Sequence, residues 1–346
     1  MSFRTETTLV GYARAAVDLK TRMADYCATV DAVEYVRAFV DSLRPAAAAA
    51  GGEEQLGDPD RLVDVITRAS RAVWPHGEPF VLAPAMTAVV AAAAQALDLT
   101  NDLLTDDAAP CDGGVLFLPE PIYHRSLDGR LSGIAALTWT AMSSGSSRFW
   151  LICGWAERDD PDDPHAQRIR SYAQQDPTLM ARLGPYVLTD LAYLPVAEPI
   201  AALIKPQVDE PDRDWETGPD GRYVIADDTA QTPVCAAIAY AFWRIQAQPL
   251  ATVAPAPLDR AGRRRAARAS IVHNTRVVML RRTSPINERG DGEAKWHYRV
   301  RFLVKGHWRR LHDKDGQPYR IWIHAHIKGP DGAPLLHGEK VAVLAR

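Results

Sequence analysis

Two stretches near the C-terminal end, Trp296–Arg310 (WHYRVRFLVKGHWRR) and Arg320–Lys328 (RIWIHAHIK), alternate strictly between two sets of side chains. A β-strand sends successive side chains to opposite faces, so such runs predict strands with one face turned to a core. In the first run one face carries His297, Arg299, Arg301, Leu303, Lys305, His307 and Arg309. The other carries Trp296, Tyr298, Val300, Phe302, Val304 and Trp308, with Gly306 among them. In the second run Ile321, Ile323, Ala325 and Ile327 lie opposite Arg320, Trp322, His324, His326 and Lys328. The expectation is a sheet whose apolar sides join toward a core and whose cations, imidazoles and one tryptophan gather on the other side. Like charges facing each other across strands repel. A face of that kind points to an anionic partner.

The charge distribution points the same way. From Leu258 to the end there are 20 lysines and arginines against 8 acids, whereas the rest of the chain has 20 against 35. The net charge of -3 therefore hides a basic module on an acidic body, a footprint of polyanion binding. The bland alternative is mutual neutralisation, with the acidic body masking the module within the molecule. Cys27, Cys111, Cys153 and Cys235 form no CxxC pair, which argues against a thiolate zinc site or a disulfide framework. The first residues lack a signal-peptide layout, and the alanine-rich stretch 88–97 is too short to span a bilayer. A cytoplasmic protein with no membrane partner is expected.

Along the chain, the spacing of Leu9, Tyr12, Ala16, Leu19 and Met23, then of Val33, Val36, Val40 and Leu43, predicts helices over 7–43, broken at Pro45. A third helix starts at Asp58–Pro59 and a fourth at Pro84, running to about Leu104. Short apolar strands follow from Gly113, with Gly133–Met142 and Arg148–Trp155 read as a hairpin and Tyr186–Val196 as a further strand. Between them Arg158–Pro164 (RDDPDDP) reads as a solvated acidic loop before a helix; its aspartates lack the spacing of a calcium loop. Val208–Gly221 reads as a long surface loop, Asp228–Gln248 as a helix and Pro249–Pro257 as a proline-rich linker. Then comes a helix, Leu258–Ile271, bearing Arg260, Arg263, Arg264, Arg265 and Arg268, followed by strands at Thr275–Leu280, Trp296–Trp308, Arg320–Lys328 and Lys340–Leu344. The fold class is α+β: a helical part over 1–110, a central β-containing body over 111–250, and a C-terminal module over 258–346 of one basic helix and about four antiparallel strands.

Phosphate contact is the least demanding use of these residues. Arg263, Arg264, Arg265, Arg299, Arg301, Lys305 and Lys328 would hold a nucleic-acid backbone, with Trp322 stacking on a base. A metal-independent ribonuclease is the alternative, with His307 and Arg309 at its centre and His324 as a second imidazole. A helix on a small basic sheet also looks like the architecture of small bacterial toxin ribonucleases. A zinc site from His307, His324 and His326 is disfavoured by the cations on the same face. A third reading is a protein-interaction module for an acidic partner. No dinucleotide fingerprint, Walker loop or other cofactor motif occurs, and Gly113-Gly114 precedes a strand rather than a helix, so no cofactor is expected.

The segment VRFLVKGHWRR, followed by RIWIHAHIKGPDGAPL, resembles an uncharacterised family found in actinobacterial genomes, plasmids and phages. That family carries an "RGHWR" strand and then a "WI…KGP…PL" strand. The matching positions are Lys305, Gly306, His307, Trp308 and Arg309, then Trp322, Ile323, Lys328, Gly329, Pro330, Pro334 and Leu335. Lys305 departs from the family's arginine, and His324–His326 departs from its more apolar pattern. The resemblance implies a mobile-element setting and no particular activity.

Overall fold

The computed structural model describes residues 3–49, 57–125, 131–176, 178–201, 224–225 and 232–281, and in the C-terminal part 302–304, 306–314, 316, 318–324 and 326–328. The chain divides into two units, Met1–Leu280 and Arg281–Arg346.

The first unit is α+β, with its helices first and most of its strands after them. Helices α1 (Leu9–Cys27), α2 (Val30–Ala49) and α3 (Pro59–His76) begin where the spacing predicts; α2 continues one turn beyond Pro45. The α3 N-terminus is the expected one, with the Asp58 side chain accepting from the Asp60 N–H and Pro59 in the first turn. Strand β1 (Glu78–Leu82) follows at once, then α4 (Pro84–Gln95). The long antiparallel strands are β2 (Gly113–Arg125), β3 (Leu131–Ser144), β4 (Ser147–Glu157) and β5 (Tyr186–Val196), with α5 (Pro164–Ala173) between the last two. Strand β6 (Val224–Ile225), α6 (Val234–Gln246), β7 (Ala251–Pro255), α7 (Arg260–Arg268) and β8 (Arg276–Leu280) complete the unit.

One mixed sheet organises these elements, in the order β5-β4-β3-β2-β1-β8-β7, with β6 beside β2. Its centre, β2-β1-β8, is parallel and its flanks are antiparallel. Side chains alternate between two cores. On one face α1–α3 cover Val81, Val115, Phe117, Cys153, Trp155 and Val277. On the other, the rings of α6 meet those of the sheet: Phe242 lies 5.3 Å from Phe80, and Trp243 lies 5.5 Å from Trp150. Burying side chains of this size contributes roughly 1.5–3 kcal/mol each. Gly114 lies opposite Trp139, where a β-carbon would stand 2.1 Å from the indole; that close approach explains a glycine inside a strand.

Three expectations change here. The stretch read as a linker contains β7, an edge strand antiparallel to β8, where prolines are tolerated because one edge needs no ladder. The basic helix and the strand after it belong to the first unit, since β8 lies beside β1 at the centre of the large sheet. The acidic loop is not wholly solvated: Asp160 and Asp163 are buried. Asp163 caps α5, accepting from the His165 N–H at 2.7 Å and, across the sheet, from the Gly133 N–H at 2.9 Å. Asp160 accepts from the Tyr123 hydroxyl at 3.3 Å and from the Asp162 N–H at 2.9 Å. Burial pushes the Asp163 carboxyl up to about 6, against the pull of its N–H donors.

The second unit contains β9 (Phe302–Val304), β10 (His307–His312), β11 (Pro318–Ile323) and β12 (His326–Lys328). β10 pairs antiparallel with β11, and β9 with β12. The strand expected at Lys340–Leu344 and the loop expected at Val208–Gly221 lie outside the described residues, as does the first part of the Trp296 run.

Candidate nucleic-acid interface

The arginine helix is built from a short amphipathic repeat. Gly262 and Ala266 are buried, with Leu258 before them and Ile271 after, while Arg260, Arg263, Arg264, Arg265 and Arg268 are exposed. At about 100° per residue, Arg260, Arg264 and Arg268 form a row opposite the buried side, with Arg263 and Arg265 flanking it. Asp259 caps the helix by accepting from the Gly262 N–H at 2.7 Å, and pairs with Arg14 of α1 at 2.7 Å. That N–H, and next the Arg14 guanidinium, hold the Asp259 carboxyl below its ordinary value. The chain leaving α7 is tied down by Ile271 N–H to Ala266 O at 2.9 Å and Val272 N–H to Pro75 O at 2.9 Å. Beneath it the buried amine of Lys20 donates to Val272 O at 2.8 Å and to Gly77 O. Burial pushes the Lys20 amine down to about 7.

None of the five α7 arginines forms an ion pair with a described residue; Arg263 alone makes a hydrogen bond, to Leu258 O. Among the described residues the capping Asp259 interacts with Arg265 through its charge without forming an ion pair with it. Like charges at i,i+4 (Arg260 with Arg264, Arg264 with Arg268) cost about 0.2–0.5 kcal/mol per pair. The row spaces its cations about 6 Å apart along the helix axis.

The second unit corrects the sequence-derived face. The β10–β11 register sets His307 opposite Ile323, Trp308 opposite Trp322, Arg309 opposite Ile321 and Arg310 opposite Arg320. Directly opposed residues point to the same side. His307 and Arg309 therefore share a face with Ile321 and Ile323, not with Trp322 or His324. The turn decides this. His312 pairs with Pro318, and the five intervening positions, 313–317, bring odd-numbered residues opposite odd-numbered ones. Trp322 is 4% exposed and meets Trp308 edge-on at 5.5 Å, so its ring is a packing element and is not offered to a base. Gly306 lies on the same side, where a β-carbon would stand 2.4 Å from the Trp322 indole; the glycine of the KGHW motif admits that ring.

His307 and Arg309 are exposed, as are Arg310 and His312. Lys328 is in β12 opposite Phe302, while Arg299, Arg301 and Lys305 lie outside the described residues. The register separates His307 from His324, so the pair of imidazoles wanted for acid–base cleavage is not assembled on one face. Among the described residues, no group of three or more histidines, cysteines or acids is placed to hold a metal ion, and no helix is long and apolar enough to cross a membrane. Arg310 and His312 are not among the sequence candidates because the alternating run is read only as far as Arg310 and neither is assigned to a face. Comparison with known proteins gives no match to any family model and no similar curated protein.

Proposed function

We propose that this protein binds nucleic acid through the phosphate backbone, with the arginine row of α7 as its main contact in the first unit. The observation that carries the proposal is five exposed arginines within nine residues, none held in an ion pair with a described residue. A solvated helix gains nothing from that concentration of like charge; a polyanion rewards it, because each neutralised phosphate releases condensed counterions. Guanidinium groups also suit phosphate, offering forked donors that stay charged at any physiological pH. The second unit also exposes Arg309 and His307 on one face of β10 and Arg310 and His312 on the other.

The test is a native-gel titration of the full chain against labelled single- and double-stranded DNA and RNA, at low and high salt and in EDTA. Binding across unrelated sequences that falls steeply with salt is the expected result. No shift with any of the four nucleic acids at low salt would overturn the proposal, and would leave an acidic protein as the partner to seek.

A further inference from the structure

The pairings β9–β12 and β10–β11 follow one register: His326 faces Val304 and Lys328 faces Phe302, as the β10–β11 pairing extrapolates. Strands β9 and β12 form a separate two-stranded pairing, and β10 and β11 form an antiparallel ribbon about 20 Å long at the usual rise per residue. Its cations are divided between its faces. Arg309, with His307, is exposed on one; Arg310 and His312 are exposed on the other, with Arg320 half-buried beside Arg310. A sheet laid flat on one phosphate strand needs cations on a single face. A ribbon standing in a groove meets a phosphate wall on each side.

Resting on the nucleic-acid reading above, we infer that the tip end of this ribbon, Arg309–His312 with Pro318–Arg320, enters the major groove of duplex DNA, Arg309 facing one backbone and Arg310 the other. The dimensions select this groove. The B-form major groove is about 12 Å wide and admits a two-stranded ribbon, whereas the minor groove is about 6 Å wide. The A-form RNA major groove is deep and narrow, which shuts out a ribbon with side chains on both faces. The tip fits the same placement. It carries exposed Asp313 and Lys314 around Gly316, whose φ of 76° makes the turn. A carboxylate there is repelled by phosphate, but it can accept from the cytosine amino group on the major-groove floor. The Trp308–Trp322 contact stiffens the ribbon behind its tip.

The experiment uses the full chain and one sequence prepared as duplex DNA, duplex RNA and single-stranded DNA. Its readouts are equilibrium affinity as a function of salt and dimethyl sulfate protection of the bound duplex. Duplex DNA should bind tightest, with protection at guanine N7 in the major groove. Arg309→Ala and Arg310→Ala should each weaken binding several-fold and reduce the salt slope by about 1. Protection confined to adenine N3 in the minor groove, or RNA or single strands bound as tightly as duplex DNA, would overturn the inference. So would an effect from only one of the two substitutions. The footprint needs no variant, so a substitution that disturbs folding does not remove the test. If substitutions on α7 abolish binding while both ribbon variants bind normally, the proposed function stands and the ribbon inference falls. If no nucleic acid binds, both fall.

Discussion

Replacing Lys20 by methionine should stabilise or destabilise the protein according to pH. The Lys20 amine is fully buried and its described partners are two backbone carbonyls, Gly77 O and Val272 O. Burial lowers it to about 7, so above that pH it is neutral in the fold while still protonated in the unfolded chain. The unfolded state then binds more protons, and stability rises with pH from about 7 toward the ordinary lysine value near 10.4. At about 1.36 kcal/mol per unit, the gain between pH 7 and pH 9.5 is about 3 kcal/mol. Methionine has no such term. At high pH the neutral amine still offers two N–H donors to two carbonyls, and Lys20→Met forfeits both bonds, at a cost of about 1–3 kcal/mol. At pH 6 the wild type must bury an ammonium, and the variant should equal or exceed it. The assay is denaturant unfolding of both proteins at pH 6, 7.5 and 9, reading the difference in midpoint at matched slope. A difference that stays constant across this range would refute the reasoning.

Asp163→Ala should cost about 2 kcal/mol, since it removes the α5 cap and leaves the Gly133 N–H without its acceptor, as read by thermal or urea unfolding. Because the Asp163 carboxyl is raised to about 6, the stability it contributes is present below about pH 4 and is lost as pH rises through 6; this pH dependence should be absent from the alanine variant. Gly306→Ala should displace the Trp322 indole and destabilise the second unit by about 1–3 kcal/mol, with altered near-ultraviolet dichroism from the Trp308–Trp322 pair.

How far the sequence could be read varied with how local the signal was. The helix start at Asp58–Pro59 and the strand Tyr186–Val196 follow from a cap and short-range pattern, and they stand where those signals placed them. Strand β1 went unread. It is five residues long, and four of the five are buried, so it shows no alternation to set it apart from a helix segment. Pro255 concealed β7 because proline usually argues against a strand, and only its edge position removes the objection. The buried carboxylates were hidden for another reason: Asp160 and Asp163 look like solvent-exposed acids until Tyr123 and Gly133, from distant strands, supply their donors. In the candidate interface, alternation sorted each strand's faces but not which face meets which. Turn length fixes that pairing, and it separated His307 and Arg309 from Trp322. The density of arginine on α7 was plain from the sequence. Its seat in the first unit, held by Gly262, Ala266, Asp259 and Lys20, depended on contacts far along the chain.

The most direct test of the central claim is the salt dependence of nucleic-acid affinity for the full chain and for a variant with Arg260, Arg264 and Arg268 all changed to glutamine. If the α7 row holds phosphates, the logarithm of affinity should fall steeply with the logarithm of salt for the wild type, and the variant should lose about 3 from that slope. Equal slopes and equal affinities in the two proteins, with α7 still folded by circular dichroism, would contradict the claim.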